Sequence, residues 1–255
     1  MNTIAAALTA FFKASGTASL LTFVGALALI GTASMAVLQV LKDATPLRQR
    51  YQRSRVRRWL AEGATEAAER HATLLTNSPL NVDDAERELV RLAVDGDQNA
   101  LYDLSIEQLS GQINAALQMV IDYPSLNRPL LLIAASAANT DDVAAILNSD
   151  RSQFDPRDAD PAKVALRVTY ADARNRVSHQ FQRAVDAFQI ATSFRWKWSL
   201  QMASFVLSAA FAVLALVAGN GSFTFFTVVG TALMAGFFAP IARDLTASIQ
   251  KLRAG

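Results

Sequence analysis

The feature that most constrains this chain is the placement of its uncharged apolar sequence, which sits near both ends and frames a charged middle. Thr17 to Leu41 runs for about 25 residues without an Asp, Glu, Lys or Arg, and Ser199 to Ala218 and Phe223 to Ala242 are equally free of charge. A helix needs ~20 apolar residues to cross the hydrocarbon core of a bilayer. Each run therefore predicts a membrane-spanning helix. Hydrophobic residues make up 52% of the chain, and their segregation, rather than that average, carries the signal. A cleaved signal peptide is the competing reading of the first run. It would need a basic start and an apolar core of roughly 7–15 residues, whereas Met1 to Phe12 is uncharged and the run is longer.

Gly219-Asn220-Gly221-Ser222 separates the second and third runs. So short a turn, built from residues that tolerate tight backbone geometry, makes the two helices antiparallel neighbours. The sequon formally present at Asn220 is read as part of this turn. Orientation follows from where Lys and Arg flank the runs, because cytoplasmic flanks carry the excess. Lys42, Arg48, Arg50, Arg53, Arg55, Arg57 and Arg58 follow the first run, Arg195 and Lys197 precede the second, and Arg243, Lys251 and Arg253 follow the third. The opposite flanks hold Lys13 and the uncharged turn. The expected layout is an extracytoplasmic segment 1–16, a span 17–41, a cytoplasmic helical domain 42–198, a span 199–218, a turn 219–222, a span 223–242 and a cytoplasmic tail 243–255. Trp196 and Trp198 flank Lys197 at the entry of the second span, where amphipathic rings suit the headgroup level.

The middle reads as helices joined by turns, giving an all-α fold. Thr45-Pro46 starts one helix, Asn81 caps another whose first turn holds Asp83 and Asp84, and Ser105 with Gln108 makes a capping-box pattern. Tyr123-Pro124 ends that element, and Thr140 with Asp141 and Asp142 opens a short helix toward Leu147. After Asp160-Pro161, apolar residues from Val164 to Phe188 recur at helical spacing. Neither Pro nor Gly appears from Ala162 to Ala218, so the helix is expected to run without a break into the second span.

Sites for chemistry are few. There is no cysteine, hence no disulfide framework or thiolate. No Walker loop, HExxH, GxSxG or GxGxxG occurs. His71 and His179 read as solvated or partly packed histidines. The carboxylates Asp155, Asp158 and Asp160 lack the glycine and glutamate of a calcium loop. No cofactor, no metal and no enzymatic function is expected. The arginine run Arg48–Arg58 reads first as a topology signal and then as a contact for anionic lipid, with Tyr51, Val56 and Trp59 interleaved. A net charge of +2 gives no basis for a nucleic-acid role. Within the spans no residue is ionisable, which argues against a proton relay or voltage sensor carried by this chain alone. Small residues at Ser204, Ser208 and Ala212, and at Ala232 and Gly236, suit close helix packing. Thr227 and Thr231 join them as helix-packing or pore candidates.

The layout of one span, a helical domain, a long helix entering a hairpin and a cytoplasmic tail is similar in topology to the TolQ and ExbB proton-channel subunits. The resemblance implies a channel or proton-driven motor subunit whose charged pore residue comes from a partner. The glycine-rich motif of their second span has no counterpart here, since Ala203 to Ala218 contains no glycine. The other reading, from the residues themselves, is a non-enzymatic subunit or scaffold of a bacterial inner-membrane complex. Its expected partners are anionic lipids at the cytoplasmic face, further copies of itself and another membrane protein.

Overall fold

A computed structural model describes residues 17–75, 80–148, 160–218 and 231, with side chains for all of these except 17–28, 42, 43 and 215–218. They form α-helices and a single 3-10 turn, and no strand occurs among the described residues. The helices are α1 (Thr17–Ala44), α2 (Leu47–Arg70), α3 (Val82–Val94), α4 (Gln98–Asp103), α5 (Ile106–Asp122), α6 (Arg128–Ala134), α7 (Thr140–Asn148) and α8 (Pro161–Ala218); the 3-10 turn is Ala72–Leu74. Residues 1–16, the Gly219–Ser222 turn, the third apolar run apart from Thr231, and the tail 243–255 lie outside the described residues. One helix among the described residues is long and apolar enough to cross a membrane, over Pro161–Leu214, and a shorter apolar helical stretch covers Leu29–Leu41. The all-helical fold thus stands, while a count of three spans does not follow from the described residues.

The chain divides into two units. One is Leu47–Phe194, and the other comprises Met1–Pro46 and Arg195–Gly255. The first is an ordinary globular helical core. Helix α2 packs on α3, α4 and α6, α3 lies against α5, and α5 meets α6. Its buried side chains include Leu60, Leu89, Leu101, Leu109, Leu117 and Phe181, each worth about 1.5–3 kcal/mol in removed apolar surface. Helix α8 supplies Ala173, Val177, Phe181, Val185 and Phe188 to this core, an i, i+4 progression that puts one stripe of a long helix inward. Trp59 of α2 meets Phe188 at a ring-centroid distance of 6.1 Å.

Local sequence fixes most boundaries. Asn81 accepts from the Asp83 amide at the start of α3, and Ser105 and Gln108 complete a reciprocal capping box at α5. Asp160 accepts from the Ala162 amide at the start of α8. Helix α7 begins at Thr140, but its capping acceptor is Asn139, which takes the Asp141 amide. The Thr140 hydroxyl instead donates to the Arg70 carbonyl. Gly63 lies at a close approach of α2 to α6: a Cβ there would lie 2.6 Å from the Ile133 carbonyl oxygen.

In the other unit, α1 and the end of α8 bury Ile30, Ser34, Ser204, Ser208 and Ala212. The Ser204 hydroxyl lies 3.1 Å from the Met35 sulfur.

Candidate functional site

The arginines of the Arg48–Arg58 run, all on the first half of α2, do not act as one group. Residues 52, 56, 60, 64 and 67 form the buried stripe of this helix, and the arginines fall on its flanks. Arg53 and Arg57 turn toward α3 and close on Glu86. Arg53 Nε donates to Glu86 Oε1 at 2.8 Å, Arg57 Nη1 donates to Oε2 at 2.5 Å, and the Tyr102 hydroxyl of α4 donates to Oε1 at 3.0 Å. Arg57 also pairs with Asp83 at 2.6 Å. The Glu86 side chain is 5% exposed against 46% for Arg53, so a buried carboxylate meets guanidinium groups that still touch water. Burial pushes the Glu86 carboxyl up, but hydrogen bonds from Arg53, Tyr102 and Arg57 outweigh it and hold it below the usual carboxylate range. Burial, with the charge of Glu86, raises the Tyr102 phenol, so the phenol stays a donor. This arrangement locks α2, α3 and α4 together. Arg48 has a neutral partner, the Asp103 carbonyl at 3.2 Å. Arg50 and Arg58 are exposed, Arg55 is half-buried, and none of the three has an ion-pair partner among the described residues.

The apolar and aromatic residues interleaved with these arginines are engaged inside the unit. Val56 is buried, Trp59 packs on Phe188, and the Tyr51 hydroxyl donates to the Thr192 carbonyl at 3.1 Å. Trp196 is half-buried, while Lys197 and Trp198 are exposed. Of the helix-packing or pore candidates, Ser204, Ser208, Ala212 and Thr231 are buried. The Ser208 hydroxyl has no hydrogen-bond partner among the described residues. Thr227, Ala232 and Gly236 lie outside the described residues.

His71 departs from a solvated or half-packed histidine, because α2 ends at Arg70 and the next residue turns inward beneath the α6–α7 link. Its side chain is buried, with Nδ1 3.1 Å from the Thr140 hydroxyl and Nε2 3.0 Å from the Ala135 carbonyl. A carbonyl only accepts, so Nε2 carries a proton. His179 is exposed, as its place on the outer side of α8 requires. Among the described residues no three His, Asp or Glu side chains gather as a metal site.

Glu86 and Tyr102 escape a motif search, but one signal exists. Val82, Ala85, Glu86, Leu89, Val90 and Ala93 follow the i, i+3, i+4 rule, so Glu86 is a charged residue inside an apolar stripe and needs a partner. Comparison of the chain with protein-family models, with curated proteins and with solved structures finds no match.

Proposed function

We propose that this chain is a non-enzymatic, multi-pass subunit or scaffold of a bacterial inner-membrane complex. It would have its N-terminus outside, its helical unit and C-terminal tail in the cytoplasm, and the capacity to self-associate. The observation that carries the reading is the state of the uncharged end of α8. The apolar window of that helix is only 17% buried, with Met202, Val206 and Leu214 exposed. On α1, Leu29, Val37, Val40 and Leu41 are exposed as well. Such side chains cost roughly 25 cal/mol per Å² in water, and two uncharged helical stretches that present them belong in lipid or against other chains. The lysines and arginines beside each run supply the orientation. Because Ser204, Ser208 and Ala212 are already buried within the chain, self-association would use other faces of α8.

The cysteine-free sequence makes the test direct. Single cysteines at Ser15, Gly221 and Ser248 are expected to react with an impermeant maleimide from the periplasmic side at the first two positions and only after lysis at the third. Release of the chain by alkaline carbonate would sink the integral-membrane part of the proposal. A strict monomer in mild detergent that captures no partner would sink the complex.

The buried Ser208 hydroxyl, unpartnered among the described residues on the uncharged end of α8, favours a second reading as a channel or motor-type subunit with its charged residue from a partner. Ser208→Phe and Thr231→Phe are then expected to block proton flux in reconstituted vesicles with that partner. Unchanged flux would remove this reading.

A further inference from the structure

The two points where the chain leaves the Leu47–Phe194 unit are neighbours, because Tyr51, one turn into α2, hydrogen-bonds to Thr192, two residues before the exit on α8. Beyond each exit lies an uncharged apolar run. At this end of the unit large apolar side chains stand exposed. Leu47, Ile190 and Phe194 are 47%, 71% and 69% exposed. Leu47 to Ala61 and Ala187 to Lys197 contain no Asp or Glu. With Arg53 and Arg57 neutralised by Glu86 and Asp83, four arginines near this end, Arg48, Arg50, Arg55 and Arg58, have no carboxylate partner among the described residues.

We infer that this end of the helical unit is itself a bilayer-contacting surface, in which Leu47, Ile190 and Phe194 enter the interface of an anionic membrane while Arg50 and Arg58 engage its phosphate headgroups. The chemistry is that of peripheral membrane contact: apolar side chains at the acyl boundary and cations at the headgroups. It differs from what the arginine spacing alone gives. Tyr51, Val56 and Trp59 are used inside the unit, Arg53 and Arg57 are structural, and two of the three apolar side chains, Ile190 and Phe194, come from α8, more than a hundred residues away in sequence. Ile190 and Phe194 precede Ser199 by nine and five residues, or about 13 and 8 Å along a helix, which sets Phe194 at the outer edge of a headgroup layer roughly 5–8 Å deep and Ile190 one turn beyond it if Ser199 begins the span. The inference rests in that respect on the proposed membrane topology.

Nitroxide labels on single cysteines test it in the full chain: Ile190→Cys, Phe194→Cys, and Leu126→Cys as an exposed apolar control. Leu126 follows Asp122, whose carboxylate is bound by Arg174, about 30 Å along α8 from Phe194. In vesicles of phosphatidylcholine with phosphatidylglycerol, the labels at 190 and 194 are expected to collide more with oxygen than with a nickel chelate, and the label at 126 the reverse. Arg50→Glu with Arg58→Glu, or phosphatidylcholine alone, is expected to lower the oxygen-to-nickel ratio at 190 and 194. Nickel exceeding oxygen at both positions overturns the inference. So does dipolar broadening between copies labelled at 194, which would assign the patch to a second copy. Failure of the parent reading looks different: a chain released by alkaline carbonate whose labels still face oxygen on added vesicles loses the spans but keeps this surface.

Discussion

Glu86 is the residue on which the helical unit depends most visibly. Its carboxylate takes hydrogen bonds from two arginines and a tyrosine, and removing the charge leaves those donors facing one another. Breaking a buried pair costs about 3–5 kcal/mol. Because the arginines are partly solvated, Glu86→Gln is expected at about 2 kcal/mol, read from chemical denaturation in detergent. The pH dependence follows from the direction of the shift. Glu86 is held below its ordinary value in the folded chain, so on acidification the unfolded chain takes up the proton first. The stabilisation is complete above the unfolded carboxylate value of ~4.3 and is lost as the pH falls through the lower, folded one. The stability gap between the parent and Glu86→Gln should therefore be widest near neutrality and close in acid. A gap that widened in acid would contradict the assignment. Gly63 offers a second case. A methyl group there meets the Ile133 carbonyl, a backbone atom with little room to yield, so Gly63→Ala should destabilise by about 1–3 kcal/mol despite improving helix propensity. A gain in stability would mean that α2 and α6 can move apart freely.

At the scale of elements, the small-residue face of α8 behaves as a packing surface inside the chain. Ser208 and Ala212 are buried, and the Ser208 hydroxyl is unpartnered among the described residues, so Ser208→Ala should be neutral or stabilising by about 1 kcal/mol. Ala212→Leu should cost about 1–3 kcal/mol by overpacking. Steric-trap unfolding in bicelles reads both, and the opposite order would place this face against lipid. Elements announced by local chemistry were legible in the sequence: Asn81, the Ser105–Gln108 box and Asp160-Pro161 each mark a helix start that the backbone adopts. The helices α4 and α6 were not, because six- and seven-residue helices are too short to form on propensity and exist through tertiary packing. The arginine clamp was half legible. Glu86 stands out as a charge within an apolar stripe, but its partners lie 29 and 33 residues away, and nothing local says which arginines turn inward. The burial of His71 has the same origin, since its partners Ala135 and Thr140 come from the far side of the sequence.

For the whole molecule, the decisive fact is that every described residue of the main buried cluster, from Val56 to Phe188, lies between Leu47 and Phe194. Among the described side chains, none from α1 or the uncharged end of α8 belongs to it. A unit with its own core folds as a unit, and this one joins its ends through Tyr51 and Thr192, so cutting the chain at both exits removes no side chain of the described cluster. The fragment 47–194, produced alone, is therefore expected to be helical and to unfold in one cooperative transition. Circular dichroism and calorimetry should report the same midpoint. A broad, non-cooperative loss of helicity would show instead that the apolar ends supply stability the buried cluster does not account for. The same fragment should lose that transition with Glu86→Gln sooner than with Arg58→Glu. The first substitution opens the junction of α2, α3 and α4, whereas Arg58 is exposed and exposed charges typically contribute less than about 1 kcal/mol. An equal loss from the two substitutions would mean that the arginines of α2 stabilise the unit by number rather than by position.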